Sequence, residues 1–178
     1  MNDFEIILNR VVSFHNLLKR KFVAGENLQL VHLEILTYLS ICNKVSNTTT
    51  CLSLYLGQTK GSVSQSIDYL EREKLISIKQ NTTDKRLFHL SLTSRGRLIV
   101  QKWKKFLDLQ TQVKEDTIEN LRNLLVGWKM NESIKTFGLC KTCKFNIKLP
   151  NNKFKCGLLG IELERKETEK ICREHQTG

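Results

Sequence analysis

The hydrophobic period of this chain changes abruptly after Leu75, and that change restricts the fold more than any other feature. Before it, apolar residues recur at the spacing of one helical face: Val63, Ile67 and Leu70. After it, apolar and polar residues alternate over 76–79 and again over 87–92, which predicts the two strands of a β-hairpin. The segment 80–86 between them is polar and basic and is the predicted hairpin tip.

The face opposite the apolar stripe carries small and hydrogen-bonding side chains. Thr59 and Lys60 stand at the start of the helix, and Ser62, Gln65 and Tyr69 follow on its outer face. Such residues suit insertion into the major groove of DNA. Considered alone, the helix is better explained as an ordinary solvated helix, so its surroundings decide between the two interpretations.

The surroundings favour a winged helix-turn-helix. A short apolar segment, about 49–56, is predicted to be a helix that ends at Gly57, and a tight turn then leads into the next helix. A hairpin directly after this unit is the wing. Its basic tip is expected to touch phosphates or to enter the minor groove. Asp84 is placed to hydrogen-bond its own loop and to hold Arg86 in position.

Amphipathic helices are predicted on both sides of this unit. A helix over about 3–23 precedes a second over about 28–43, whose apolar residues on several sides indicate the centre of a small bundle. Two more helical patterns extend from Thr93 to about residue 130. The fold class is therefore mainly α with a small β-hairpin wing. The outer helices are expected to form a dimer interface; a membrane-surface role fits less well, since their charge is mixed rather than basic.

Charge and hydropathy restrict the partners and the compartment. The 178 residues carry 29 Lys plus Arg against 18 Asp plus Glu, a net charge of +11, which favours a polyanion such as nucleic acid. The acidic start of the chain is unlike a secretory signal, and no apolar run approaches the roughly 18 residues that span a bilayer. We therefore expect a soluble cytosolic protein, in which cysteines serve as metal ligands, redox groups or buried thiols.

The C-terminal segment contains four of the six cysteines in the pattern C-x2-C-x12-C-x15-C: Cys140, Cys143, Cys156 and Cys172. The two thiolates of the C-x2-C pair can bind one ion from a single turn, and the two distant cysteines can complete a tetrahedral site. A module this small usually needs a bound metal or disulfides to be stable. We therefore predict a metal-binding module over 133–178 beside a DNA-binding and dimerisation domain over 1–132.

Two metal centres are consistent with these cysteines. Zinc is favoured by its frequency in cysteine knuckles, and His175 offers an alternative ligand. An iron–sulfur cluster tolerates the uneven spacing and would use all four thiolates. The other two thiols, Cys42 and Cys51, lie on apolar segments and are expected to be buried and inert, with a peroxide-sensing role as the alternative.

The winged segment resembles the MarR family of bacterial transcriptional regulators. The resemblance spans about residues 4 to 130 and rests on three runs: Leu56-Gly57-Gln58-Thr59-Lys60-Gly61-Ser62-Val63-Ser64, the wing tip Asp84-Lys85-Arg86, and Leu90-Ser91-Leu92-Thr93-Ser94-Arg95-Gly96. It implies a homodimer that binds a pseudo-palindromic operator in double-stranded DNA, usually represses, and responds to small ligands or oxidants. A glycine often stands at the turn after the recognition helix in such proteins, where this chain has Lys74-Leu75.

The resemblance also implies a set of DNA-contacting residues. Carried over by position, the groove-facing residues are Thr59, Lys60, Ser62, Ser64, Gln65 and Tyr69, and the wing residues are Asp84, Lys85 and Arg86. The four-cysteine tail is then either a structural staple or a metal or redox sensor that alters the recognition helices. The alternative from another class is a redox or hydrolytic enzyme built on the tail, although four thiolate ligands would leave no open coordination position.

Overall fold

The computed structural model describes residues 2–82, 84–107, 114–132 and 137–176, without the side chains of 129–132. The chain forms two compact units, one comprising Met1–Ser40 with Leu52–Asp108 and the other Ile41–Cys51 with Leu109–Gly178. The segment Ile41–Cys51 groups with the C-terminal part, and the predicted boundary between 132 and 133 stays a prediction. Residues 133–136 of the predicted module, Thr83 of the wing tip and the chain ends at 1 and 177–178 lie outside the described residues.

The first five helices and the hairpin that the periodicity predicts lie in the first unit, except for the last residue of the second helix and the first turn of the third, which belong to the second unit. The helices are α1 (Asp3–Gly25), α2 (Leu30–Ile41), α3 (Thr49–Leu56), α4 (Lys60–Arg72) and α5 (Ser94–Leu107), and the strands are β1 (Ile76–Gln80) and β2 (Phe88–Leu92). The helix α2 is the centre of the bundle, as its apolar sides predict. It buries His32, Leu33, Ile35, Leu36 and Tyr38.

Local chemistry sets the ends of these helices. A capping box begins α1, because Asn2 accepts a hydrogen bond from the Glu5 amide and the Glu5 carboxylate accepts one from the Asn2 amide. Gly57, at φ +64°, makes the turn between α3 and α4. The helix-turn-helix is therefore present where the sequence predicts it.

The hairpin pairs as the alternation predicts, with Ile76 opposite Leu92 and Ile78 opposite Leu90. Ile76 and Leu90 are buried and face the core. Phe88, which the same alternation places on the inner face, is 45% exposed, because the hairpin extends beyond the core at its tip. The wing is anchored at its base and projects at its tip.

The start of α5 is fixed against the turn between α4 and β1. The Thr93 hydroxyl donates to the Lys74 carbonyl at 2.7 Å and accepts from the Gly96 amide at 3.1 Å. Gly96 is buried so tightly that a Cβ there would lie 2.0 Å from the Leu75 carbonyl oxygen. Lys74 occupies the left-handed region at φ +55°, where a glycine would be unstrained. The helix α4, the wing and α5 thus meet at the turn between α4 and β1.

The second unit contains α6 (Glu115–Glu132) and a small module of short strands. Strands β4 (Asn146–Lys148), β5 (Phe154–Cys156) and β6 (Glu162–Leu163) form an antiparallel sheet, and β3 (Gly138–Leu139) pairs with β7 (Ile171–Cys172). A single helical turn, α7 (Arg165–Thr168), precedes β7. No helix in the described ranges is long and apolar enough to cross a membrane.

Candidate DNA-binding surface and cysteine cluster

The helix α4 has a buried face and an exposed face, as its sequence predicts. Val63, Ile67 and Leu70 are buried, which contributes about 1.5–3 kcal/mol for each side chain. The N-cap is Thr59, whose hydroxyl accepts from the Ser62 amide at 3.3 Å. The buried stripe fixes the rotation of the helix, and the rotation decides which side chains remain available to a partner.

The predicted groove-facing residues divide into three groups in the structure. Thr59, Lys60, Ser62 and Gln65 are exposed, and Ser64 is half-buried. Tyr69 differs from the rest, because its ring stacks on His32 at 4.3 Å between centroids and its hydroxyl donates to the Asn27 carbonyl at 3.4 Å. Tyr69 therefore has a structural contact, and its place in the DNA-contacting set stays a prediction.

His32 supports this arrangement. Its Nδ1 accepts a hydrogen bond from the Gln29 amide at 3.2 Å, which requires the ring to be unprotonated at that atom. Burial lowers the pKa of His32 below its ordinary value of 6.5. The neutral ring is therefore the form that packs against Tyr69. No sequence pattern indicates this pair, since the two residues are far apart in the chain.

The wing tip is an ordered loop with basic side chains on its surface. The Asp84 carboxylate accepts from the Arg86 amide at 2.9 Å, which confirms that it bonds its own loop. The Asn81 side chain accepts from the Asp84 amide at 3.0 Å, and Gln80 Nε2 donates to the Lys85 carbonyl at 2.7 Å. Asn81 and Gln80 were not among the predicted site residues; their position at the strand end, beside turn-forming residues, is the signal for them.

Charge on this surface is unneutralised. Lys60, Lys85 and Arg86 are exposed, and none of them forms an ion pair within the part of the chain that the structure describes. The neighbouring Arg95 and Arg97 are engaged instead, since Arg95 donates to the Glu73 carbonyl at 2.8 Å and Arg97 to the Leu92 carbonyl at 2.7 Å. The surface presents free cations beside polar side chains that can donate and accept hydrogen bonds, which is the chemistry that phosphates and base edges require.

The four C-terminal cysteines line one cavity of about 10 Å³. The apolar part of its lining comes from Phe145, Leu158, Leu159 and Leu163. Burial, and then the neighbouring thiols beginning with Cys172, raise the pKa of Cys140 to about 11. In the described residues, no group of three or more His, Cys, Asp or Glu side chains is arranged to hold a metal ion as it stands. The thiols thus share a cavity without forming a closed coordination shell.

His175 lies outside the lining of this cavity. Its Nε2 is 3.0 Å from the Thr142 hydroxyl, which also donates to the Leu139 carbonyl at 3.0 Å. The ring packs directly over Gly138, where an added Cβ would lie 2.4 Å from Nδ1. This contact explains the glycine, and it places His175 beside the C-x-x-C turn rather than among the cavity-lining side chains.

The module also holds the segment between α2 and α3. The Asn43 amide donates to the Ile171 carbonyl at 2.9 Å, and Cys42 forms a parallel bridge with the same residue. The buried carboxylate of Glu167 accepts from the Lys44 amide, and the Arg173 amide donates to the Ser46 hydroxyl at 2.9 Å. We call residues 42–46 the connector. Nothing in the local sequence indicates this contact.

The remaining two thiols are buried, as predicted. Burial raises the pKa of Cys42 to about 12, so almost no thiolate exists at neutral pH. Cys51 has the Arg173 guanidinium 4.0 Å from its sulfur. Cys42 therefore lacks the exposed, acidic thiol that a peroxide sensor requires.

Comparisons with solved structures identify the fold. MepR of S. aureus in its DNA-binding conformation matches with a TM-score of 0.63 at 19% identity, covering 73% of this chain and 98% of MepR. CouR from Rhodococcus jostii RHA1, bound to p-coumaroyl-CoA, matches with a TM-score of 0.58 at 16% identity over 71% of this chain and 92% of CouR. The apo form of MarR from E. coli gives 0.53 at 17% identity over 72% and 97%.

No protein-family model and no curated protein sequence matches the chain. At identities this low, the structural matches establish the architecture and leave the function to be argued from the residues. All three matched proteins are MarR-type regulators whose whole length is nearly covered. The chain has the winged-helix fold of the MarR-type regulators.

Proposed function

We propose that this protein is a sequence-specific regulator of transcription that binds double-stranded DNA as a homodimer, with repression as the expected outcome. The observation that carries the proposal is the exposed polar face of α4, held in rotation by a buried stripe and accompanied by a basic, internally bonded wing tip. The role is binding rather than catalysis. It is supported by MepR, one structure of which holds a bound oligodeoxyribonucleotide.

The two parts of the surface would do different work. Gln65 is exposed in the middle of α4 and carries both a donor and an acceptor, so it can distinguish base pairs in the major groove. Arg86 is exposed at the wing tip without an ion pair in the described part of the chain, so it is suited to phosphate or to the minor groove. Two recognition helices in a dimer would meet half-sites about 34 Å apart.

The test begins with selection of a preferred duplex from random DNA, followed by affinity measurements on that duplex and on a scrambled one. Gln65→Ala should lose about 1–3 kcal/mol on the preferred duplex and little on the scrambled one. Arg86→Ala should weaken both and lower the salt slope by about 1, whereas Arg20→Ala, which removes the same charge from α1, should leave both unchanged. Equal losses on both duplexes for Gln65→Ala would reject its base-reading role.

The dimer is supported by an apolar stripe on α1 that stays exposed in the described part of the chain. Phe4, Ile7, Val11 and Phe14 recur at helical spacing, and Ile7 and Val11 are 63% and 60% exposed. An exposed stripe of this kind marks an association surface. Ile7→Glu should shift the sedimentation equilibrium toward monomer, and Lys21→Glu on the same helix should not. A wild-type protein that is monomeric at micromolar concentration contradicts this part of the proposal.

Control of DNA binding is also part of the proposal. The connector leads directly into α3, the first helix of the helix-turn-helix, so the state of the cysteine module can reach the DNA-binding unit through the chain itself. CouR, solved with p-coumaroyl-CoA, supports control by a small molecule as well, and no residue of this chain is assigned to that role. Equal operator affinity before and after chelation, in a protein that stays folded, would leave the module as a structural staple.

A further inference from the structure

The cysteine cavity differs from an ordinary apolar core in its lining and in its size. Four cysteines from three separate segments line it, and its volume is about 10 Å³. We propose that Cys140, Cys143, Cys156 and Cys172 bind one thiophilic divalent ion, with zinc as the physiological occupant, rather than a polynuclear iron–sulfur cluster. This inference concerns the module alone and does not depend on the proposed DNA binding.

The backbone brings the four residues to one place by two tight turns and one strand. The first turn runs from Cys140 to Cys143, whose amide donates to the Cys140 carbonyl at 3.1 Å. The second begins at Cys156, whose carbonyl accepts from the Gly160 amide at 2.8 Å, with Gly160 at φ +69°. Cys172 completes the set from β7, where it pairs with Gly138. Two short turns and a distant thiol are a common construction of tetrahedral sites.

The volume discriminates between the two metal centres that the cysteine spacing leaves open. About 10 Å³ admits a single body the size of a water molecule. One ion needs four sulfurs at about 2.3 Å, so the thiols converge on the centre of the cavity when it binds. A four-iron cluster places several core atoms in the same space, so a single ion is the occupant that the cavity favours.

Groups around the cavity are arranged to support a bound thiolate. The Gln176 amide points at the Cys143 sulfur from 3.5 Å, a contact that strengthens when the sulfur is ionised. The Lys144 amide donates to the Gln176 carbonyl at 2.9 Å. This bond holds the backbone of Gln176, and with it the amide that faces Cys143, in place. His175 holds the first turn through Thr142 and Gly138 and is a positioning residue rather than a ligand.

The experiment uses the full chain and added Zn²⁺ or Co²⁺ as probes. Metal analysis should give one zinc for each chain, and Co²⁺ should give a 1:1 titration with the sulfur charge-transfer and tetrahedral bands of a four-thiolate site. Cys143→Ser should abolish the Co²⁺ bands, and Cys51→Ser, which removes a buried thiol outside the cavity, should preserve them. His175→Gln should keep the 1:1 stoichiometry while lowering the affinity about 10- to 100-fold.

A measurement on the wild-type protein tests the proposal even if the variants fail to fold. Alkylation followed by mass spectrometry should show the four cavity cysteines protected with zinc bound and modified after chelation. Iron with labile sulfide, a stoichiometry above one ion for each chain, no binding of either probe, or loss of the Co²⁺ bands in His175→Gln would each overturn the proposal.

Discussion

Gly96→Ala tests a close approach in the winged helix-turn-helix unit. The new Cβ would lie 2.0 Å from the Leu75 carbonyl oxygen and 3.3 Å from a Leu92 methyl carbon. An ordinary contact is roughly 3.4 Å or more, so the start of α5 must move away by more than 1 Å from the turn that it caps. Overpacking of this kind costs about 1–3 kcal/mol.

The same displacement acts on the hydrogen bonds of Thr93. Its bonds to the Lys74 carbonyl and from the Gly96 amide are 2.7 and 3.1 Å long, and each contributes about 1 kcal/mol. The total is about 3–5 kcal/mol, which corresponds to a fall in Tm of roughly 6–20 °C for a protein of this size.

Thermal and urea unfolding followed by circular dichroism would measure that loss. Gly61→Ala is the matched control, because its added Cβ meets nothing within 4 Å and alanine favours a helix over glycine by about 1 kcal/mol. The control should therefore be neutral or more stable. If Gly96→Ala unfolds at the wild-type temperature and urea concentration, the close packing of α5 on the α4–β1 turn is refuted.

Three further predictions address single residues. Because burial lowers the pKa of His32, the unfolded chain binds the proton more tightly than the folded chain does. The free energy of unfolding should therefore be constant above about pH 6.5 and fall as the pH drops below it. His32→Phe should flatten that part of the pH–stability curve. Lys74→Gly should be neutral or stabilising in urea unfolding, because relief of about 1 kcal/mol of left-handed strain offsets the added freedom of the unfolded chain, whereas a large loss would contradict the strain. Cys42, whose pKa is about 12, should stay unmodified by hydrogen peroxide in the native protein, and its oxidation in mass spectra would revive the sensor hypothesis.

Local patterns were enough to predict the elements of the winged helix-turn-helix. The stripe of α4 is set by 3.6-residue periodicity and the hairpin by alternation, so each element could be found within a window of a few residues. The exposure of Phe88 was not predictable, because alternation tells which face a side chain is on and not how far the core extends. The stacking of Tyr69 on His32 was not predictable either, because the two residues belong to different helices.

In the C-terminal module, even more of the contacts lie beyond what local sequence patterns can predict. The cysteine spacing predicts that the thiols gather, and all four do line one cavity. It cannot predict that Glu167 accepts from the Lys44 amide, 123 positions away, since no local pattern encodes a contact at that distance. The buried Glu167 resembles an ordinary surface glutamate in the sequence, and its bonds from the Lys44 amide and the Lys170 ammonium explain its burial.

The contact between the connector and β7 has a consequence for biosynthesis. Arg173 and Ser46, which share one hydrogen bond, are 127 positions apart, so the connector leaves the ribosome long before its partner is made. At about 5–20 residues per second, that interval is roughly 6–25 s, far longer than a helical hairpin needs to form. The helix-turn-helix would therefore fold first with an unpaired connector, and the cysteine module would complete it afterwards.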